Sequence, residues 1–465
     1  MNTVLRTKGA LMRQVVRLIA ATIRHASDAS ILRVLRALEM VPSSVEHKEQ
    51  LQQLRQAIAE GHPAAQLARR VFHEASPACR RALVNNLAIN AAYLAAPIHK
   101  QRRAAGLASP SLIVISPSMR CNLNCKGCYA GEYIKEGELT IDEVDSVIQQ
   151  GKAMGVHFYV ISGGEPFMRD DMLQIYAKHN DCAFLIYTNG TFLDKKHAQI
   201  LAKLGNVAPA ISVEGFQEET DDRRGAGVWD KVMTAMDNLR EAGVIFGFSA
   251  TVTRHNAERI TTPELADLLI DKGCYFGWYF QYIPIGKDPD PSLMATPEQR
   301  QFCRKRIWST RNEKPIFLAD FWSDGHLTGG CMSGGRLYLH VTASGAVEPC
   351  VFCHFTPGNI KEMSLEEILA SDFFTAIRKR FPWSDNELMP CSIIDNPWVL
   401  REAVAEGHAQ PSHPGAETII TDLAPAIDAY SAEMHRVTDA DPAAHLGSPW
   451  EHEERPAAKR VAVAN

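Results

Sequence analysis

SLIVISPSMRCNLNCKGCY, residues 111–129, is the stretch on which the fold and the chemistry turn. Leu112–Ser116 is a short apolar run rich in β-branched residues and closed by Pro117, which reads as a strand. Directly after it come Cys121, Cys125 and Cys128. Three thiolates that close can wrap one cluster only from a tight loop, and Gly127 eases the backbone geometry such a loop needs. A four-iron cluster held by three cysteines leaves one iron open to chelate a further ligand, as a catalytic zinc keeps an open position. A zinc knuckle is the competing reading, but such sites pair two cysteines with a second pair nearby, and no fourth Cys or His lies close in sequence.

Outward from this loop, short apolar runs alternate with amphipathic segments. Strands are expected at Leu112–Ser116, His157–Ser162, Phe184–Thr188, Ala210–Val213, Phe246–Val252 and Phe276–Tyr282. Helices are expected at Ile141–Met154, Met168–Lys178, Asp194–Leu204, Val228–Ala242 and Pro263–Lys272, the first preceded by Thr140 with Glu143 three residues on, as in a capping box. Six strands alternating with helices predict an α/β fold, a partial (β/α)6 TIM-like barrel whose ligands gather at the C-terminal strand ends. Four units follow: a helical N-terminal domain over 1–105, the barrel over 106–325, a small Cys-rich extension over 326–400, and a tail over 401–465. The extension is expected to carry a hairpin, Arg336–Val341 with Val347–Val351. The tail, rich in Ala, Pro, His and Glu, reads as having little regular structure and as partly disordered.

An apolar fraction of 46% and a charged fraction of 22% are those of an ordinary globular protein. No apolar run of membrane-spanning length and no secretory signal is read, so the expected location is cytoplasmic, where thiols stay reduced. Charge is unevenly spread: residues 1–105 carry 16 Lys/Arg against 6 Asp/Glu, leaving the remainder strongly acidic although the net charge is only −5. Seven of the 11 cysteines fall in two groups, Cys121/Cys125/Cys128 and Cys331/Cys350/Cys353/Cys391. In a reducing compartment such grouping favours metal over disulfide.

The C-x3-C-x2-C-aromatic pattern after a first strand resembles the radical S-adenosylmethionine (SAM) superfamily, and the resemblance runs through the predicted barrel. It implies that SAM chelates the open iron of a [4Fe–4S] cluster on Cys121, Cys125 and Cys128. Reductive cleavage then releases a 5′-deoxyadenosyl radical that attacks a C–H or unsaturated bond. The superfamily's GGEP motif is matched by Gly163, Gly164, Glu165 and Pro166 after the second strand. There the glycines would let backbone groups approach SAM, and Glu165 would hold its ammonium. Asn189 after the third strand, and Ser212 and Glu214 ending the fourth, are implied SAM contacts. Arg224, or its neighbour Arg223, is a candidate partner for the SAM carboxylate, and Tyr129 would pack beside the cluster and adenine. Asn256 and Tyr282 are further candidates at the fifth and sixth strand ends.

Cys331, Gly345 and Cys350 are spaced as C-x13-G-x4-C, which resembles the opening of the SPASM or shorter twitch extension. Cys353 and Cys391 complete four thiolates, enough for one auxiliary iron–sulfur cluster or for a structural zinc. The seven cysteines of a full SPASM unit are absent.

For the substrate, the basic helical segment and the aromatic run Tyr275–Phe280, with Phe317, Phe321 and Trp322, suggest a lipid-like or other apolar metabolite. Residues 1–105 would then make peripheral contact with the inner membrane face. The layout is similar to radical SAM proteins that act on lipids, with carbon–carbon bond formation or rearrangement as the outcome. Peptide modification is the alternative, as in many enzymes with SPASM-type extensions. A non-catalytic zinc- or nucleic-acid-binding protein is a third reading. The basic segment lacks stacking aromatics and any nucleic-acid motif, so no nucleic-acid partner is expected. The resemblance also implies an electron donor such as flavodoxin or ferredoxin.

Overall fold

The structure, a computed structural model, describes residues 55–447 together with the isolated positions 32, 36 and 52. The helices expected before residue 55 and the last part of the tail lie outside the described residues.

The six expected strands all form, as β1 (Leu112–Ile115), β2 (Phe158–Ile161), β3 (Ala183–Thr188), β4 (Val207–Ser212), β5 (Gly247–Val252) and β6 (Phe276–Gln281). Each pairs in parallel with the next, joined by a helix as a parallel crossover requires. Ile141–Ala153 starts with the capping box read from sequence: Thr140 Oγ1 accepts from Glu143 N at 3.1 Å and Glu143 Oε2 accepts from Thr140 N at 2.8 Å.

Three further strands widen the sheet. Beyond β6 lies β7 (Phe317–Asp320), also parallel. At the other edge β8 (Tyr338–Val341) pairs in parallel with β1 and in antiparallel fashion with β9 (Val347–Glu348), giving the order β7-β6-β5-β4-β3-β2-β1-β8-β9. The expected hairpin is therefore present, but it continues the barrel sheet instead of standing apart from it.

Side-chain alternation divides the sheet into two faces. Ile113, Ile115, Tyr159, Ile161, Phe184 and Ile186 point to the helices and are fully buried in the main core. Val114, Val160, Leu185 and Ala210 point inward and form a smaller cluster at the barrel floor. The strand ends above that floor carry the site.

The tail expectation is corrected up to residue 447. Helices Pro397–Gly407 and Ala424–Thr438 are well formed, and the second buries Ile427, Ser431, Met434 and Thr438 along one face. That spacing is helical, but two of the four residues are polar, so composition concealed it. The helix docks on the barrel: Tyr430 Oη donates to the Ala295 carbonyl at 2.9 Å. Among the described residues no helix is long and apolar enough to cross a membrane.

Candidate active site

A cavity of about 560 Å³ opens over the strand ends. Cys121, Cys125 and Cys128 line one part of it and Cys331, Cys350 and Cys391 another, so the fold brings the two cysteine groups to one chamber. Cys353 is 2% exposed and lies in the core behind that wall; its N–H donates to the Cys350 carbonyl at 3.0 Å.

The three-cysteine loop is held from below by the GGEP turn. Gly164 N donates to Ser118 O at 3.0 Å and Glu165 N to Arg120 O at 2.8 Å. A Cβ on Gly164 would stand 1.9 Å from the Arg120 carbonyl oxygen, and one on Gly163, where φ is +111°, 2.3 Å from that of Ser118. Close approach to the cysteine loop thus demands both glycines, although they also line the cavity. Gly127 turns the loop with φ +60°, where a Cβ would lie 2.7 Å from the ring of Tyr282.

Glu165 is 1% exposed and set behind the wall. It accepts from Thr188 Oγ1 at 2.7 Å, Phe167 N at 3.0 Å and Asn189 N at 2.7 Å. Burial pushes its carboxyl pKa up, and these donors act against that rise. Its partner Asn189 does reach the cavity, with Nδ2 at 2.8 Å from Asn122 Oδ1 and 3.8 Å from Cys121 Sγ.

Glu214 is also fully buried and engaged by protein donors. Its Oε1 accepts from Arg223 Nη1 at 2.6 Å and from Arg224 Nε at 2.8 Å, and its Oε2 from Thr251 N at 3.2 Å. Asn256 braces it from beneath, Nδ2 donating to the Glu214 carbonyl at 3.0 Å. Glu214 therefore aims two guanidinium groups at the chamber, where both line the wall. Burial raises the Cys125 thiol pKa, and Arg224 and Arg223 oppose that rise by favouring the thiolate a metal needs. The Arg223 carbonyl accepts from Lys126 N at 3.0 Å, tying the arginine segment to the cysteine loop.

Ser212 and Tyr282 line the cavity, and Tyr129 does so with its hydroxyl 2.7 Å from Ser162 Oγ. Burial pushes the Tyr129 phenol up to about 12, so it stays protonated. Its ring meets Phe352 edge-on at 5.6 Å.

Sequence reasoning missed Ser249 and Thr251, which line the chamber from β5, although alternate polar residues in an otherwise apolar strand were visible. It also missed Tyr338, which donates from Oη to Cys350 Sγ at 2.8 Å.

The donor set fits iron–sulfur ligation. Cys121, Cys350 and Cys391 each accept a backbone N–H from two residues on, at 3.4 Å in all three cases, the turn that presents a thiolate while stabilising its charge. Among the described residues, His157, Asp181 and Cys182 are the group whose donor atoms converge within 4.8 Å. Neither cysteine group closes to that span, whereas a tetrahedral zinc with bonds of about 2.3 Å to sulfur draws its ligands within about 4 Å of one another. The converged trio is instead a salt-bridge site, with Lys152 Nζ 2.6 Å from Asp181 Oδ1.

Comparison with known proteins agrees with this geometry. The radical SAM superfamily model matches residues 115–268, and the SPASM iron–sulfur cluster-binding domain matches residues 331–392. The Fe-coproporphyrin III synthase of Methanosarcina barkeri is 32% identical over 311 residues, covering 58% of this chain and 77% of the relative. Mycofactocin maturase MftC of Mycobacterium tuberculosis is 28% identical over 271 residues, covering 55% and 68%. The structure of Streptococcus suis SuiB bound to precursor peptide SuiA aligns with a TM-score of 0.51 at 19% identity, covering 60% of this chain and 68% of that one, a likeness of fold. The chain belongs to the radical SAM superfamily: it is an enzyme with a [4Fe–4S] cluster, SAM and a C-terminal SPASM domain for auxiliary iron–sulfur.

Proposed function

We propose that Cys121, Cys125 and Cys128 hold the SAM-binding cluster and that the substrate is a peptide, one of whose side chains enters the chamber to be modified. The observation that carries this reading is the single cavity of about 560 Å³ reaching both cysteine groups. Its volume is that of a site for one drug-sized ligand, roughly 300–1,000 Å³. SAM must share it, so the reacting part of a substrate enters while the rest extends through the open mouth, as a peptide chain would.

Bound SAM and cluster supply a 5′-deoxyadenosyl radical; the chain's residues position and shelter. Asn189, beside Cys121, and Arg223 and Arg224, beside Cys125, line the chamber with Ser212 and offer polar contacts for SAM. Cys331, Cys350 and Cys391 are the candidate auxiliary ligands beyond it. Trp278, Phe280, Phe321 and Phe352 wall the substrate space with apolar surface that excludes water.

The aromatic run was read as a pocket for a lipid-like chain. Its rings do line the chamber, Trp278 and Phe280 each 5.3 Å from Phe321, but the relatives are named for tetrapyrrole synthesis and maturation, and the lipid reading is set aside. The membrane contact assigned to residues 1–105 goes with it. A tetrapyrrole substrate is the second reading, favoured by the relative named for Fe-coproporphyrin III synthesis.

Reconstituted holoenzyme with SAM and dithionite separates the two. A peptide fraction from cell extract is expected to raise 5′-deoxyadenosine release at least about tenfold, through productive positioning of the reacting group. Protease treatment of that fraction is expected to abolish the rise. Stimulation by a panel of tetrapyrroles and not by peptides would overturn the peptide reading.

A further inference from the structure

Cys350 receives an interaction that its partners in the second cysteine group lack. Cys331, Cys350 and Cys391 all line the chamber. The Cys331 thiol itself donates, to Ser333 Oγ at 3.2 Å, and Cys391 accepts from the Ile393 N–H at 3.4 Å. Cys350 accepts from the Phe352 N–H at 3.4 Å and, in addition, from the hydroxyl of Tyr338 at 2.8 Å.

Tyr338 opens β8, the strand that joins the extension to β1. Leu112 stands opposite it in the register. Its ring packs on the apolar barrel floor and lines the chamber. One side chain thus touches a candidate ligand sulfur with its hydroxyl and the substrate space with its ring.

We infer that Tyr338 is a positioning residue for the auxiliary iron–sulfur site, whose hydroxyl, by donating to Cys350 Sγ, sets the reduction potential of the group held there. The inference rests on the reading of Cys350 as an auxiliary ligand. Hydrogen bonds to ligand sulfurs are among the determinants of cluster potential, together with burial and net charge. A donor withdraws electron density from the thiolate, and this favours the reduced, more negative state over the oxidised one. Because the same ring faces the chamber, a substrate resting on it bears directly on the residue that tunes the site.

The test is a redox titration of the anaerobically reconstituted full chain, followed by electron paramagnetic resonance, with Tyr338→Phe beside the parent. Phenylalanine keeps the ring and removes only the donor. At a fixed poise the ratio of reduced to oxidised auxiliary cluster is expected to fall about tenfold, which is about 59 mV more negative for one electron. Iron content and the signal of the SAM-binding cluster are expected to match the parent. A merely structural tyrosine would change iron content or thermal stability without moving the potential, and an unchanged auxiliary potential would overturn the inference. Cys350→Ala keeps the two claims apart. If it loses the auxiliary iron while Tyr338→Phe titrates like the parent, the tuning role alone fails. If it retains all its iron, Cys350 is not a ligand and the reading beneath falls.

Discussion

Cys125→Ala yields a folded protein that no longer assembles its SAM-binding cluster. Iron falls by the content of one cluster relative to the parent, and SAM no longer perturbs the spectrum of what remains. Cys125 is the middle of the three proposed ligands, and a cluster left with two protein thiolates has too few anchors from this chain to be retained. The loop itself is expected to stand without it. Gly164 and Glu165 still grip the backbone of Ser118 and Arg120, and Lys126 still donates to the Arg223 carbonyl. Far-ultraviolet circular dichroism and thermal unfolding of the metal-free proteins check the fold, and iron analysis checks the cluster. Parent-like iron in the variant contradicts the ligand assignment.

Arg300→Met is expected to cost about 3–5 kcal/mol of stability, the range for breaking one partner out of a buried ion pair. Arg300 is 1% exposed and its partner Asp395 fully buried. Nη1 of Arg300 donates to Asp395 Oδ1 at 2.6 Å, while Asp395 Oδ2 accepts the N–H of Cys391 at 3.1 Å. Ser431 also donates to the Asp395 carbonyl, at 2.5 Å. Methionine leaves the Asp395 carboxylate in the core with no cation, beside a candidate cluster ligand. Chemical denaturation of the metal-free proteins measures the loss. Arg300→Met combined with Asp395→Asn is expected to cost less than the two single changes added together, since each removes the same pair. Equal stability of parent and Arg300→Met contradicts this account.

Legibility in the sequence followed the strength of local patterns. The β1 run, the cysteine loop and the crossover helices announced themselves because a parallel strand buried on both faces is a continuous apolar run and its covering helix is amphipathic. β7 did not, because Phe317–Asp320 has only three apolar residues and ends on a carboxylate. Its approach was nevertheless marked: Thr296 and Gln299 form a capping box around Pro297 at the start of the preceding helix, Pro297–Glu313.

Site residues divided along a similar line. Positions named from a short-range motif, such as Gly163, Gly164 and Asn189, lie at the chamber wall. What a motif could not say is which atoms each side chain would meet. Glu165 and Glu214 are expected SAM contacts, and in the structure both accept from protein donors, Asn189, Arg223 and Arg224 among them. Contacts across long sequence separations, Tyr338 to Cys350 over the hairpin and Arg300 in the helix Pro297–Glu313 to Asp395 in the turn before Pro397–Gly407, leave no trace in local spacing.

The most direct measurement is the fate of SAM on the anaerobically reconstituted, dithionite-reduced full chain. Release of 5′-deoxyadenosine with an equal amount of methionine, absent from Cys125→Ala, is the predicted result. Intact SAM alongside a fully assembled cluster, or zinc occupying the Cys121–Cys128 loop of protein purified without oxygen, would contradict it.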